Sequence, residues 1–126
     1  MAFDPMIFVD DVEASSRWYQ ALLGFSSGHG GPHYEMLMQG KDLVLQLHPA
    51  EADEHGDLRL PPGAPRGAGL LLYFRTDDIR VLHARALALD VECEGPPIFI
   101  EQARHTEFIV RDPDGYAIAI YQSGSA

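Results

Sequence analysis

Residues 9–12, Val-Asp-Asp-Val, decide the fold because a near copy, Thr-Asp-Asp-Ile, occurs at residues 76–79. In both copies a short apolar run comes first, at residues 6–9 and 70–74, and a helical spacing of apolar side chains follows. Short apolar runs bounded by proline or glycine are typical of strands. The second aspartate of each copy is expected to cap the helix, since its carboxylate can accept from first-turn amides. The sequence therefore predicts two strand–helix units.

After each helix, the spacing of apolar residues changes from helical to alternating. This change predicts one hairpin over residues 33–48, turning at a glycine, and a second over residues 105–122. The second hairpin turns through residues 112–115, Asp-Pro-Asp-Gly, whose proline and glycine positions suit a type I turn. A further short strand is expected after each helix, near residues 25–28 and 91–94. Each half of the sequence thus has the order βαβββ.

The length of 126 residues predicts a single domain made of the two halves. The first module is expected over residues 1–48 and the second over residues 67–126. Residues 49–66 between them are rich in proline, glycine and acidic residues and show no sustained period. This composition predicts a linker or surface loop, with a lid over a binding site as the alternative.

The composition excludes several classes of protein. The hydrophobic fraction of 46% with 22% charged residues is typical of a globular domain, and no apolar run is long enough to cross a membrane. The single cysteine, Cys93, excludes an intramolecular disulfide framework and a cysteine-rich zinc site. The net charge of −10 opposes contact with phosphate backbones, so we expect no nucleic-acid partner. The first residues show no signal-peptide pattern, so a cytoplasmic location without membrane partners is expected.

Two stretches of sequence resemble a known superfamily. Residues 8–25 contain Phe-Val-Asp-Asp-Val, then Trp-Tyr, then Leu-Leu-Gly-Phe, and residues 111–116 read Arg-Asp-Pro-Asp-Gly-Tyr. In this order they resemble the glyoxalase, bleomycin-resistance and extradiol-dioxygenase proteins, the vicinal oxygen chelate superfamily. The resemblance implies an α+β fold: tandem βαβββ modules form a curved, half-open barrel-like mixed sheet with the helices outside. It also implies a concave cup that binds a substrate or drug.

The resemblance further implies where a metal would be held. Metal-dependent members bind a divalent ion with side chains from the first and last strands of each module. Transferred to this sequence, these positions are Asp4, Leu71, Ala119, and either Val44 or Gln46. Leu71 and Ala119 have no donor atom, so the pattern is closest to the metal-free, bleomycin-resistance-like branch, which sequesters its ligand. We therefore expect no cofactor. The alternative is a divalent ion at an atypical site, for which the available donors are Asp4, His48, His105 and Glu107.

Strand alternation predicts which side chains line the cup, because every second residue faces the same way. The residues in phase with the metal positions combine aromatic and polar groups, which is the usual composition of a small-molecule site. The predicted ligand-binding residues are Phe8, Gln46, His48, Tyr73, Arg75, His105, Glu107 and Tyr121. The phase of His105 and Glu107 stays open, because the preceding segment contains two prolines. The intervening residues Leu45, Leu47, Ile118 and Ile120 are expected in the core.

These observations favour a protein that binds or sequesters an aromatic antibiotic or metabolite without a metal. The alternative is a divalent-metal-dependent lyase, isomerase or dioxygenase with an atypical site, so whether the chain is an enzyme stays open. A plain interaction module is a third class, because a fold alone does not decide function. A homodimer is expected, since family members often pair their modules and a two-fold pair covers exposed strand edges.

Overall fold

The chain forms two compact units, Met1–Ala64 and Pro65–Ala126, in a computed structural model that describes residues 1–51, 54–56, 58 and 65–124. Within the described residues, each unit has one helix and one four-stranded mixed sheet in the order βαβββ. The α+β class and the tandem βαβββ repeat are therefore confirmed. The division into modules within one domain stays a prediction. Residues 52, 53, 57 and 59–64 of the predicted linker lie outside the described residues.

The first unit consists of strand β1 (Met6–Val9), helix α1 (Val12–Leu23), and strands β2 (Ser26–Ser27), β3 (Glu35–Gln39) and β4 (Asp42–Pro49). Its sheet has the order β1-β4-β3-β2, with β1 parallel to β4 and the other pairs antiparallel. The predicted first hairpin and the predicted short strand near residues 25–28 are thereby confirmed. The buried apolar side chains come from one face of α1, alternate positions of three strands and the residue after the helix cap: Ile7, Val9, Val12, Tyr19, Leu22, Phe25, Leu37, Leu45 and Leu47.

The second unit consists of β5 (Leu71–Arg75), α2 (Ile79–Ala88), β6 (Ile98–Ile100), β7 (His105–Arg111) and β8 (Ala117–Ser123). Its sheet has the order β5-β8-β7-β6, with β5 parallel to β8. The predicted turn at residues 112–115 is confirmed, since the Gly115 amide donates to the Asp112 carbonyl at 2.9 Å. The described part of the chain contains no helix that is both long and apolar enough to cross a membrane.

The strand predicted near residues 91–94 is wrong. Only Cys93 forms an isolated bridge there, with Val110, and the third element of this unit is β6, several residues later. The intervening residues explain the difference. Gly95 has a φ of 124° and two prolines follow it, and proline has no N–H to donate to a ladder. The chain after α2 therefore pairs with β7 at two separate places, first through Cys93 and then through β6.

The strand register decides which side chains of the second sheet share a face. Tyr73 is in register with Ala119, and Tyr121 is in register with both Arg75 and Glu107. Residues in register point to the same side of a sheet, so Tyr73, Glu107 and Tyr121 share one face. Helix α2 packs against the opposite face, where its His83 ring lies 5.1 Å from that of Phe108.

Candidate functional site

Four predicted ligand-binding residues meet on the open face of the second sheet, and we call this group the Tyr73 cluster (Tyr73, His105, Glu107 and Tyr121). Strand β5 supplies Tyr73, β7 supplies the histidine and glutamate, and β8 supplies Tyr121. The ring centroids of Tyr73 and Tyr121 are 4.9 Å apart, and His105 lies 4.9 Å from Tyr121 and 5.7 Å from Tyr73. The three rings therefore form one aromatic group, in which Tyr73 meets the other two rings edge to face.

A single carboxylate oxygen connects the polar atoms of this cluster. The Tyr73 hydroxyl donates to Oε1 of Glu107. Nε2 of His105 lies 2.6 Å from the same oxygen and 3.0 Å from the Tyr73 hydroxyl oxygen. An ionised carboxylate only accepts hydrogen bonds, so Nε2 of His105 carries the proton that points to Glu107. The carboxylate thus holds both rings in place.

The protonation states of the cluster follow from these contacts. Burial raises the pKa of the Glu107 carboxyl, but the hydrogen bonds from Tyr73 and His105 outweigh it and lower this pKa overall. Burial and the hydrogen bond to Glu107 together raise the pKa of Tyr73 to about 12. At neutral pH, Glu107 is therefore charged and the Tyr73 phenol is neutral.

Tyr73 is the exposed ring of the cluster, and the Glu107 carboxylate beside it is largely covered. Tyr73 is 44% exposed, whereas His105 and Glu107 are only partly exposed. An exposed aromatic surface can stack on a flat ring, and a ring face backed by a carboxylate attracts a cation. The arrangement can therefore hold a planar aromatic molecule that is neutral or positively charged.

Two other predicted residues meet in the first unit. The rings of Phe8 on β1 and His48 on β4 are in register, with centroids 5.0 Å apart. Glu54 and His55 join this histidine, and we call the three residues with donor atoms the His48 cluster (His48, Glu54 and His55). One donor atom from each residue lies within 4.8 Å of the others. This grouping has the composition of a metal site rather than of a hydrophobic wall.

The remaining two predicted residues are Gln46, whose amide is bonded within the first unit, and Arg75, which is in register with Tyr121 and shares the face of the Tyr73 cluster. Oε1 of Gln46 accepts from the Tyr34 hydroxyl, and Nε2 donates to the Asp4 carbonyl at 2.9 Å. Both ends of this amide therefore stabilise the first unit internally. Arg75 is exposed at the end of β5.

The sequence prediction missed Glu54, His55 and Tyr34. Glu54 and His55 fall inside the segment predicted to be a linker, where no periodicity assigns a face to any side chain. A His-carboxylate pair six residues beyond a strand histidine is a signal that a search for metal donors can use. Tyr34 directly precedes β3, and its contact with Gln46 depends on the hairpin register.

The positions that the resemblance assigns to metal ligands do not fit a metal in the second unit. Leu71 and Ala119 lie on the same face as the Tyr73 cluster, and their hydrocarbon side chains offer no lone pair. In the first unit, the last-strand position is either Val44, which has no donor atom, or Gln46, whose amide already bonds to Tyr34 and Asp4. These positions of the second unit therefore offer no ligand for a catalytic metal.

Solved structures of similar fold cover nearly the whole chain. A protein of unknown function from Agrobacterium tumefaciens str. C58 is 26% identical, with a TM-score of 0.78 over 98% of this chain and 94% of that chain. A lactoylglutathione lyase from Agrobacterium tumefaciens is 19% identical, with a TM-score of 0.74 over 97% of this chain and 92% of that chain. A glyoxalase/bleomycin resistance protein/dioxygenase from Nocardioides is 18% identical, with a TM-score of 0.74 over 98% and 83%. The last two likenesses concern the fold alone.

The comparison with curated proteins found no match. The comparison with family models found one over residues 4–120, described as the Glyoxalase/Bleomycin resistance protein/Dioxygenase superfamily. This match spans both βαβββ units, the capped helices and the Asp-Pro-Asp-Gly turn. The chain belongs to the glyoxalase/bleomycin resistance protein/dioxygenase superfamily.

Proposed function

We propose that the protein binds and sequesters a planar aromatic small molecule, an antibiotic or a metabolite, on the Tyr73 cluster. The observation that carries this proposal is the meeting of three aromatic rings around one carboxylate on an open sheet face. Binding there needs no metal, because the polar contacts come from Tyr73, His105 and Glu107.

Stacking supplies the affinity for a flat ring. Each favourable aromatic pair contributes about 0.5–1.5 kcal/mol beyond the burial of its area. The hydrogen bonds of Tyr73 and His105 to Glu107 hold these rings before the ligand arrives, so little side-chain freedom is lost on binding. A rigid aromatic surface of this kind favours planar ligands over flexible aliphatic ones.

The charge of the site favours a neutral or cationic ligand. Glu107 is ionised at neutral pH, and the chain carries a net charge of −10. An acidic protein raises the local concentration of cations, and this effect weakens as salt screens it. Arg75 follows on β5 and opposes the preference, since its guanidinium offers a partner to a ligand carboxylate. The proposed preference for aromatic ligands is therefore better supported than the proposed preference for neutral or cationic ones.

The alternative is a metal-dependent lyase, isomerase or dioxygenase. This activity needs an ion that polarises substrate oxygens, and the family positions in the second unit are Leu71 and Ala119. Nor does Tyr73 suit the role of a base at neutral pH, since its pKa of about 12 keeps the phenol protonated. Sequestration requires neither group to react.

The experiment is a binding screen with matched variants. Planar aromatic compounds that are cationic, neutral or anionic are compared with aliphatic compounds by thermal shift and then by calorimetry. Tyr121→Ala and Tyr73→Ala should each weaken binding of the best compound about tenfold, because each removes one stacking surface. Glu107→Gln should weaken a cationic compound more than a neutral compound of the same shape.

Leu87→Ala is the matched control, since Leu87 is exposed on α2, on the opposite side of the same sheet. This variant should bind as the parent does. If only aliphatic anions stabilise the protein, or if both tyrosine variants bind as tightly as the parent, the Tyr73 cluster is not the ligand site.

A further inference from the structure

We propose that the His48 cluster binds a divalent transition-metal ion of the Zn²⁺, Co²⁺ or Ni²⁺ type. None of its three residues is a family metal position or a member of the Tyr73 cluster. It uses one buried histidine at the end of β4 and two exposed residues, Glu54 and His55, that follow it in the chain.

The hydrogen bonds of His48 prepare one of its nitrogens for a cation. Nδ1 lies 3.1 Å from the Pro49 carbonyl oxygen, which only accepts, so Nδ1 carries a proton. In the neutral ring, Nε2 then has a lone pair, and it faces Oε2 of Glu54 at 3.0 Å. Two acceptors at this distance repel each other unless a positive charge lies between them. A metal ion between Nε2 and Oε2 supplies that charge. The alternative is a second proton on the imidazole, which makes His48 and Glu54 an imidazolium–carboxylate pair.

Histidines that bind a metal through one ring nitrogen usually donate a hydrogen bond from the other, often to a backbone carbonyl, as Nδ1 of His48 does. Such a bond fixes the ring orientation and the tautomer, and it makes the other nitrogen a better donor. His48 is only 3% exposed, and the Phe8 ring packs 5.0 Å from its own. The first donor atom is therefore held in place before an ion arrives.

The other two donors can adjust to an ion. The Glu54 side chain is 72% exposed, and the His55 ring lies 4.9 Å from the His48 ring. The three donor atoms lie within 4.8 Å of one another, so small side-chain rotations bring all three to one ion at about 2.0–2.2 Å. Two imidazoles and one carboxylate are a donor set that suits Zn²⁺ and its neighbours better than Mg²⁺ or Ca²⁺. Three protein donors leave at least one coordination position for water or another ligand.

The test is metal binding to the full chain without an affinity tag. Equilibrium dialysis against Zn²⁺, followed by elemental analysis, should give one equivalent per chain. Co²⁺ should give the visible absorption bands of a nitrogen- and oxygen-bound ion. Glu54→Gln and His55→Ala should each weaken binding at least about tenfold, since losing even an outer-shell partner costs about 10- to 100-fold.

Two variants with similar chemistry at exposed positions are the controls, namely His33→Ala and Glu51→Gln. They should retain the full equivalent of metal. Glu54 and His55 are exposed, so their variants are expected to fold even where a change at buried His48 does not. Absence of a bound equivalent in the parent, or equal binding by the cluster variants and the controls, would overturn the proposal and leave an imidazolium–carboxylate pair. Ligand binding by the Tyr73 cluster is unaffected by that outcome.

Discussion

At the scale of single residues, Glu35 is a buried carboxylate that accepts several hydrogen bonds. It is 3% exposed, and its carboxylate accepts from the Ser16 and Ser27 hydroxyls at 2.7 Å each. The amides of His29 and Gly30 also donate to it, at 3.1 and 2.9 Å. Glu35 lies on β3, and its hydrogen bonds tie this strand to α1, to β2 and to the turn that follows β2. Burial raises the pKa of this carboxyl, but the hydrogen bonds outweigh it and lower the pKa overall.

Glu35→Gln should destabilise the protein by about 1–3 kcal/mol at neutral pH, because the amide NH₂ of glutamine replaces an acceptor among buried donors. The folded-state pKa is lowered, so the stabilisation is present above the ordinary value of 4.5 and is lost as the pH falls through the lower folded value. Urea unfolding at neutral and acidic pH measures the difference between parent and variant, which should shrink in acid. Glu51→Gln, at an exposed position, is the control, and an equal loss in both variants would contradict this role.

Tyr73 provides a prediction at alkaline pH. Its pKa of about 12 comes from burial first and then from the hydrogen bond and charge of Glu107. Glu107→Gln should lower the pKa of Tyr73 towards its ordinary value of 10, since the glutamine side chain carries no negative charge. A titration of the tyrosine NMR signals measures this change. The pKa of Tyr34, which burial, Asp4 and Glu35 raise, should stay constant in the same variant. An unchanged Tyr73 titration would show that Glu107 does not interact with the phenol.

At the scale of elements, both helices begin with an aspartate cap. Asp11 accepts from the Ala14 amide at 3.0 Å, and Asp78 accepts from the Val81 amide at 3.3 Å. The C-terminal ends differ. Gly24 caps the end of α1 with a φ of 78°, a left-handed conformation that glycine adopts without strain, whereas Leu89 caps the end of α2 with a φ of −86°. The first helix therefore has local signals at both ends.

Asp11→Ala should lower the free energy of unfolding by about 1 kcal/mol, because the Ala14 amide loses its acceptor. Asp11→Asn keeps a side-chain oxygen and should cost only a few tenths of that amount. Thermal or urea unfolding of the two variants provides the comparison. A cap that contributes nothing would give the same stability for the alanine and asparagine variants.

At the scale of the whole molecule, each unit leaves its first strand at an edge of its own sheet. Among the residues that the structure describes, β1 pairs only with β4 in the first sheet, and β5 pairs only with β8 in the second. An edge strand presents unpaired backbone groups, which proteins usually cover or protect. The net charge of −10 makes unspecific association between copies unfavourable, so a pairing must be specific.

We expect a homodimer with two-fold symmetry, since closed two-fold pairs are the commonest oligomers and cover such edges. Sedimentation velocity over a concentration series measures the mass of the particle. A species of twice the chain mass that persists at micromolar concentration supports the prediction. A monomer throughout the series contradicts it. The cytoplasmic location expected from the sequence likewise stays a prediction.

The sequence by itself determined the class and order of elements. The caps at Asp11 and Asp78, the helical and alternating spacings, and the Asp-Pro-Asp-Gly turn act between neighbours in the chain. Such local signals can be read without knowing the partner of any strand. The alternation also placed Leu45, Leu47, Ile118 and Ile120 in the core correctly, although His48 and Ala119 on the opposite faces of these strands are buried as well. The order of elements was predicted less well after α2, where a glycine and two prolines precede β6 and the strand begins later than residues 91–94.

Only the tertiary structure decided which side chains meet. Tyr73 and Glu107 are far apart in sequence, and their contact depends on the pairing of β5 and β7 with β8. The phase of His105 and Glu107 was open until the register of β7 with β8 was known, because a shift of one residue moves every side chain to the other face. The His48 cluster depends on where an aperiodic loop returns to the end of β4. Periodicity describes one strand at a time, whereas a site is made by contacts between segments that are distant in the chain.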